Sequence, residues 1–271
     1  MRKIYLLFST IVLVMIMAFL PLSSKKIQLT KGAHISMIGG NLGSRMLNYG
    51  VFDTELHLRF PEHQLVIRNM CDGGDLPGFR PHSARNDPWA FPNADKFQTE
   101  FANPSHSEGT FPKPDEWLSN LKPDVLLAFF GYSESFAGAE GLLNFKAELS
   151  AFVAHTLAQK YNGVATPQLA LISPIAFQNL SDKYDLPNGI NENKNLELYT
   201  KAIQEIAAKY DVLFLDAFNP SKKWFETGEQ LTIDGFQLNT EGYQKFAVLL
   251  ANQLFESKGI QNENFLINCP V

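Results

Sequence analysis

The sequence predicts an α/β fold: a five-stranded parallel sheet covered by helices on both faces. Two observations predict it. Short apolar runs alternate with helical patterns from residue 33 onward, and strand–helix alternation of this kind builds a parallel sheet whose two faces both need cover. Three short polar segments also begin where apolar runs end, at Gly39, Asn69 and Gly131. In such sheets ligands sit outside the carboxyl ends of the strands.

The elements follow in chain order. Residues 33–38 read as a first strand buried on both faces. Residues 44–60 read as one helix, with Met46, Leu47, Phe52, Leu56 and Phe60 at helical spacing and Pro61 ending it. Residues 64–68 form the second strand, 125–130 the third (all apolar), 168–172 the fourth and 212–215 the fifth. Helices are expected at 141–160, 193–209 and 241–258. The stretch 78–113 is rich in Pro, Asn and Ser and carries Arg80, His82, Arg85, Trp89 and His106. A loop this long inside a compact domain is functional or disordered. Its aromatic and Pro content favours an ordered flap over the site.

Residues 1–26 are set apart from a single domain at 27–271. Arg2 and Lys3 precede an apolar run at 4–22, followed by Ser23-Ser24-Lys25-Lys26. This is the layout of a signal peptide. The run is also long enough to cross a bilayer as a helix, so an uncleaved membrane anchor is the alternative. Either way the domain is expected outside the cytoplasm: periplasmic, in the cell envelope, or anchored facing outward. A formal charge of −5, with no basic run beyond Lys25-Lys26 and Lys222-Lys223, excludes nucleic acid as a partner. Cys71 and Cys269, the only two cysteines, either form one disulfide or stay as unpaired thiols. No Cys-x-x-Cys, His-Glu-x-x-His or c-type haem attachment sequence is present, so no metal or cofactor is expected.

Four segments carry chemistry: Ile38-Gly39-Gly40-Asn41-Leu42-Gly43, Asn69-Met70-Cys71-Asp72-Gly73-Gly74-Asp75, Phe129-Phe130-Gly131-Tyr132-Ser133-Glu134-Ser135 and Asp234-Gly235-Phe236-Gln237-Leu238-Asn239. A strand running into Gly-Gly-Asn puts Asn41 at a helix start, as a cap or a ligand contact. Gly73-Gly74 allow positive φ and close backbone approach. Ser133 can donate through its hydroxyl. Glu134 is expected to be exposed or ion-paired. Asp234 could cap the last helix or pair with a cation, and Gln237 can donate and accept but cannot titrate.

Over about residues 33–257 these segments resemble the four sequence blocks of the SGNH (GDSL) hydrolase family. The resemblance implies a flavodoxin-like three-layer α/β/α fold. It also implies a Ser nucleophile in the first block, Gly and Asn oxyanion donors in the second and third, and an Asp-x-x-His pair in the last. Here those positions are Asn41, Gly74, Ser133, Asp234 and Gln237, so Gly and Asp remain while Ser, Asn and His do not. Asn is not a nucleophile under ordinary conditions and Gln cannot be a general base. The Phe-Gly-Tyr-x-Glu-Ser-Phe and Glu-Leu-His-Leu-Arg-Phe-Pro runs look like a branch found in large exported bacterial proteins, some of them fused to c-type haem domains. The implied ligands are acylated carbohydrates or other small esters. Three functions follow: an esterase or carbohydrate deacetylase with altered machinery, a silent relative that binds a glycan or acyl ligand, or an anchored structural partner in an envelope complex. Substitute catalytic groups, if any, would be Cys71, His82 or His106.

Overall fold

The structure is a computed structural model that describes residues 25–81, 87–101 and 112–256. Its centre is a five-stranded, all-parallel sheet in the order β2-β1-β3-β4-β5. The strands are β1 (His34–Gly39), β2 (Val66–Asn69), β3 (Val125–Phe129), β4 (Gln168–Ile172) and β5 (Leu213–Leu215). This is the flavodoxin-like order, in which the crevice lies beside the first strand.

Alternation along the strands divides the core into two. Ile35, Met37, Val125, Leu127, Phe129, Ala170 and Ile172 face one side, while Ile38, Leu126, Ala128, Leu169 and Leu171 face the other. The first side is covered by α2 (Val51–Arg59) and α8 (Thr240–Leu254). The second is covered by α3 (Pro114–Leu121), α5 (Gly138–Leu157) and α6 (Ile190–Tyr210). Three short helices complete the set: α1 (Asn41–Ser44), α4 (Tyr132–Ser135) and α7 (Phe218–Phe225).

Several boundaries differ from expectation. The helix expected over 44–60 is broken. A tight 3-10 turn at Arg45–Asn48 and a left-handed Gly50 (φ 62°) separate α1 from α2. Leu47 is consequently 63% exposed, while Met46, Phe52, Leu56 and Phe60 stay buried. The second strand starts at Val66, because Gln64 sits at φ 52°. Helix α3 and helix α7 were not expected. The described parts of the 78–113 stretch fold onto α5. Phe79 bridges to Trp89, and Glu148 of α5 accepts from the Gly78 N–H and from Gln98 Nε2. His82, Arg85 and His106 lie outside the described residues, as do residues 4–22 and Cys269. Among the described residues no helix is long and apolar enough to cross a membrane. Cys71 is buried and has no disulfide partner among the described residues.

The strand ends are level. Gly39 pairs with Phe129, Phe129 with Ile172, and Ile172 with Leu215. The segments that follow these strands therefore leave the sheet from one row. Gly39 makes the row possible. Its φ is +117°, and a Cβ there would lie only 2.2 Å from the Phe129 carbonyl oxygen. We predict that Gly39→Ala lowers the unfolding free energy by about 2–4 kcal/mol, from overpacking and a strained φ together. Gly228→Ala, also at positive φ but with nothing within 4 Å of the new Cβ, should cost about 1 kcal/mol. Urea unfolding of both variants checks this, and equal losses would remove the steric argument.

Candidate active site

Backbone hydrogen bonds tie the first three segments together. The Gly40 N–H donates to the Phe129 carbonyl (2.8 Å) and the Asp72 N–H to the Gly39 carbonyl (2.9 Å). Asn69 acts as a clip: its Nδ2 donates to the Gly43 carbonyl (2.7 Å) and its Oδ1 accepts from the Cys71 N–H (2.9 Å). The fourth segment joins through aromatic contacts. Phe236 stacks nearly parallel (8°) on Tyr132. Tyr243 of α8 donates to the Leu42 carbonyl at 3.0 Å, and Tyr49 stacks on Tyr243 at 4.7 Å.

The first three segments and the end of β4 line a narrow cleft of about 10 Å³, with Gly40, Asn41, Asp75, Tyr132, Ser133 and Glu134 among its residues. Asn41 and Ser133 thus line one cleft. Asn41 is not a cap, however. Gly40 occupies the cap position without a side-chain bond, and Asn41 is the first residue of α1. Its Oδ1 lies 3.9 Å from where a Gly73 Cβ would be, so its side chain spans the first and second segments. Gly74 takes φ +96° with open space beside it. It neighbours Asp75 in the cleft wall but is not itself among the lining residues.

Asp234 and Gln237 are not lining residues either. Asp234 does not cap α8, and among the described residues it meets no cation. Its Oδ1 accepts from the N–H groups of Phe236 (3.1 Å) and Gln237 (2.7 Å), closing its own turn. Asn239 caps α8 instead, accepting from the Gly242 N–H at 2.9 Å. The turn is held by a residue that sequence reading missed, the buried Gln178. Its Oε1 accepts from the Leu231 N–H, the Thr232 N–H and the Thr232 hydroxyl, and its Nε2 donates to the Glu229 carbonyl. No local signal marks Gln178, because its partners lie more than fifty residues away.

The cleft is rich in carboxyls rather than bases. None of His34, His57, His63 and His155 lines it; His155 instead pairs with Asp115 at 2.6 Å. Glu134 departs most from expectation. It is neither exposed nor ion-paired: its Oε2 accepts from the Gly131 N–H at 2.9 Å and its Oε1 is enclosed. Burial pushes the Glu134 carboxyl up to about 8, against the pull of its own and the Gly131 N–H groups. Burial likewise raises Asp75 to about 7, opposed by the nearby Arg80 guanidinium. Arg80 is itself buried over the Phe130 and Phe152 rings. Cys71 is buried, and burial raises its thiol, so it is protonated and packed rather than poised as a nucleophile. Among the described residues no group of His, Cys, Asp and Glu is gathered as metal ligands.

Chemically, this arrangement offers hydrogen-bond donors and two carboxyls raised by burial around a small opening, and among the described residues no His lines it. No protein-family model and no curated protein matches the chain. Solved structures do. One is a Parabacteroides merdae protein described as a GDSL-like lipase: TM-score 0.59, 13% identity, covering 84% of this chain and 98% of that one. A second is a catalytic mutant of an acetylxylan esterase from Geobacillus stearothermophilus: TM-score 0.57, 13% identity, 87% and 100%. A third is an α/β hydrolase from the metagenome of Lake Arreo, Spain: TM-score 0.55, 15% identity, 84% and 99%. At these identities the likeness is one of fold, and the fold is SGNH/GDSL hydrolase-like.

Both raised carboxyls hold protons in the folded chain that the unfolded chain releases near pH 4 (roughly the ordinary carboxylate range). Stability is therefore full below about pH 4 and falls as pH rises through about 7 and 8. Asp75→Asn and Glu134→Gln should each flatten their part of a pH–stability curve measured by urea unfolding. An unchanged curve for either variant would remove that carboxyl from the account.

Proposed function

We propose that this chain is an SGNH hydrolase-like protein of the cell envelope that binds an acylated carbohydrate, or another small ester, with ester hydrolysis lost or strongly reduced. One observation carries the reading. Asn41 and Ser133 line one cleft of an SGNH hydrolase-like fold, while Asn41 stands where the resemblance expects the nucleophile and Gln237 where it expects the base. Without both groups, rate enhancement is left to binding and oxyanion donors. Replacing the Asn donor with Ser133, whose hydroxyl is shorter and less fixed, costs up to about 2.7–4 kcal/mol more of transition-state stabilisation.

The surroundings support binding of a small group. The opening admits about one water-sized group, which suits an acetyl carbonyl better than a long acyl chain. Beside it, Tyr132 meets Phe136 edge-on, and Phe136 is 71% exposed. An apolar face next to a few converging polar groups is the usual make-up of a ligand site. The acetylxylan esterase among the structural neighbours acts on an acetylated glycan by its name, which agrees with this ligand class. The envelope location rests on residues 1–26 as read from the sequence.

The test is hydrolysis of p-nitrophenyl acetate and of an acetylated sugar. The natural protein should show no turnover above background. Asn41→Ser or Gln237→His alone should add little, because nucleophile and base act as a unit. The triple variant Asn41→Ser, Ser133→Asn, Gln237→His should gain measurable activity if Asp234, whose Oδ1 accepts from its own turn's N–H groups, orients the new His. Turnover by the natural protein that survives Asn41→Ala and Gln237→Ala would refute this reading and turn attention to Cys71, His82 and His106.

A further inference from the structure

The chain enters its domain at one pole, and the entry is fixed there. Ile27 is 1% exposed. Its N–H donates to the Leu254 carbonyl at 2.7 Å, and it bridges in parallel to Phe255 just past α8. Gln28 and Gln168, the first residue of β4, exchange two hydrogen bonds of 2.9 Å. Lys25 Nζ reaches the Asp211 carboxylate, just before β5, at 3.0 Å, and Lys26 Nζ reaches the Asn252 carbonyl at 2.9 Å. These partners gather at the amino ends of the strands. The cleft lies at the opposite, carboxyl end. Helix α6 measures the separation: it runs from Ile190 on the cleft side to Tyr210 at the entry pole, roughly 30 Å at about 1.5 Å per residue.

Lysines surround the entry. Lys31, Lys122, Lys160 and Lys209 are exposed and stand just before β1, β3, β4 and β5. Among the described residues the carboxylates at this pole are fewer. Asp211 pairs with Lys25. Asp124 accepts from the His34 N–H and from Asn162 Nδ2. Glu62 and Glu256 are exposed. The whole chain carries a charge of −5, so this surplus of lysines is local. Val164, in the loop that follows Lys160, adds an apolar side chain that is 77% exposed.

We propose that this pole faces a lipid bilayer: residues 4–22 stay attached as the anchor, the lysines meet anionic headgroups, and the cleft points away from the membrane. This rests on the cell-envelope location proposed above and adds to it the docking surface and its orientation. The apolar run ends at Leu22, three residues before Lys25, which is at most about 11 Å of extended chain. A tether of that length forbids the inverted arrangement, in which the entry would stand roughly 30 Å from the bilayer. The lysines favour the upright arrangement over one lying on its side, because each gains from an anionic surface only when close to it. The cleft then opens to the aqueous side, so its acylated carbohydrate is a water-borne or wall-bound chain rather than a lipid headgroup.

Fluorescence quenching on the full-length protein in vesicles tests this. Cys269→Ser removes one thiol, and Cys71 is buried. A fluorophore is attached at Val164→Cys or at Ile190→Cys, both exposed positions in the natural chain, and the quencher is carried on lipid headgroups. In phosphatidylcholine vesicles containing phosphatidylglycerol, quenching should be strong for Val164→Cys and near background for Ile190→Cys. Changing Lys31, Lys122, Lys160 and Lys209 together to Gln should lower the Val164→Cys signal to its value in phosphatidylcholine alone. Equal quenching at the two positions, or stronger quenching for Ile190→Cys, would overturn the orientation. A Val164→Cys signal indifferent to both lipid charge and the lysine changes would overturn the docking role of the lysines. Recovery of the natural protein in soluble form without residues 4–22 would overturn the anchor and the proposal with it. No ligand enters these readouts, so failure of acetylated sugars to bind would count against the binding function alone.

Discussion

The close approach of Gly39 to the Phe129 carbonyl is the constraint on which the site depends. It lets β1 end level with β3, and the Gly40 N–H then donates to that same carbonyl oxygen. From this one junction the chain turns into α1 with Asn41 at its first position. The Asp72 N–H bonds back to the Gly39 carbonyl and brings the second segment alongside. Gly131, at φ 104°, repeats the device one strand away, where a side chain would strike Ile203 and Pro174. The cleft is a consequence of two turns that only glycine can make.

That frame carries Asn41 and Ser133 at its opening. What remains around the opening is an amide, a hydroxyl and two buried carboxyls, and the local electrostatics favour keeping protons rather than exchanging them. Asp75 and Glu134 are both raised by burial. Arg80, which pulls Asp75 toward ionisation, lies over two aromatic faces. Such a site discriminates by hydrogen bonding and size. Under the proposed function, ligand recognition is what this chemistry supports.

The strands were legible because they are buried on both faces, and a run such as Val125-Leu126-Leu127-Ala128-Phe129 has no other home in a domain of this size. Asn41 and Ser133 were legible as neighbours because each directly follows such a run. The break between α1 and α2 was not, since the apolar spacing continues through it and only Gly50 marks the turn. Helix α3 left a readable signal in Lys113-Pro114-Asp115-Glu116, with Pro at the first position and the Glu116 carboxylate accepting from the Lys113 N–H. The burial of Glu134 was not readable, because it depends on β3, α5 and α6 closing around a four-residue helix. Gln178 was hidden for the same reason: its partners meet it only after the chain has folded.

The most direct measurement is a nuclear magnetic resonance titration of isotopically labelled protein with an O-acetylated xylo-oligosaccharide, followed at the protein amides and at the acetyl methyl signal together. The account predicts shifts concentrated at Gly40, Asn41, Ser133 and Glu134 with no free acetate appearing. Release of acetate, or shifts that leave these four residues untouched, would contradict it.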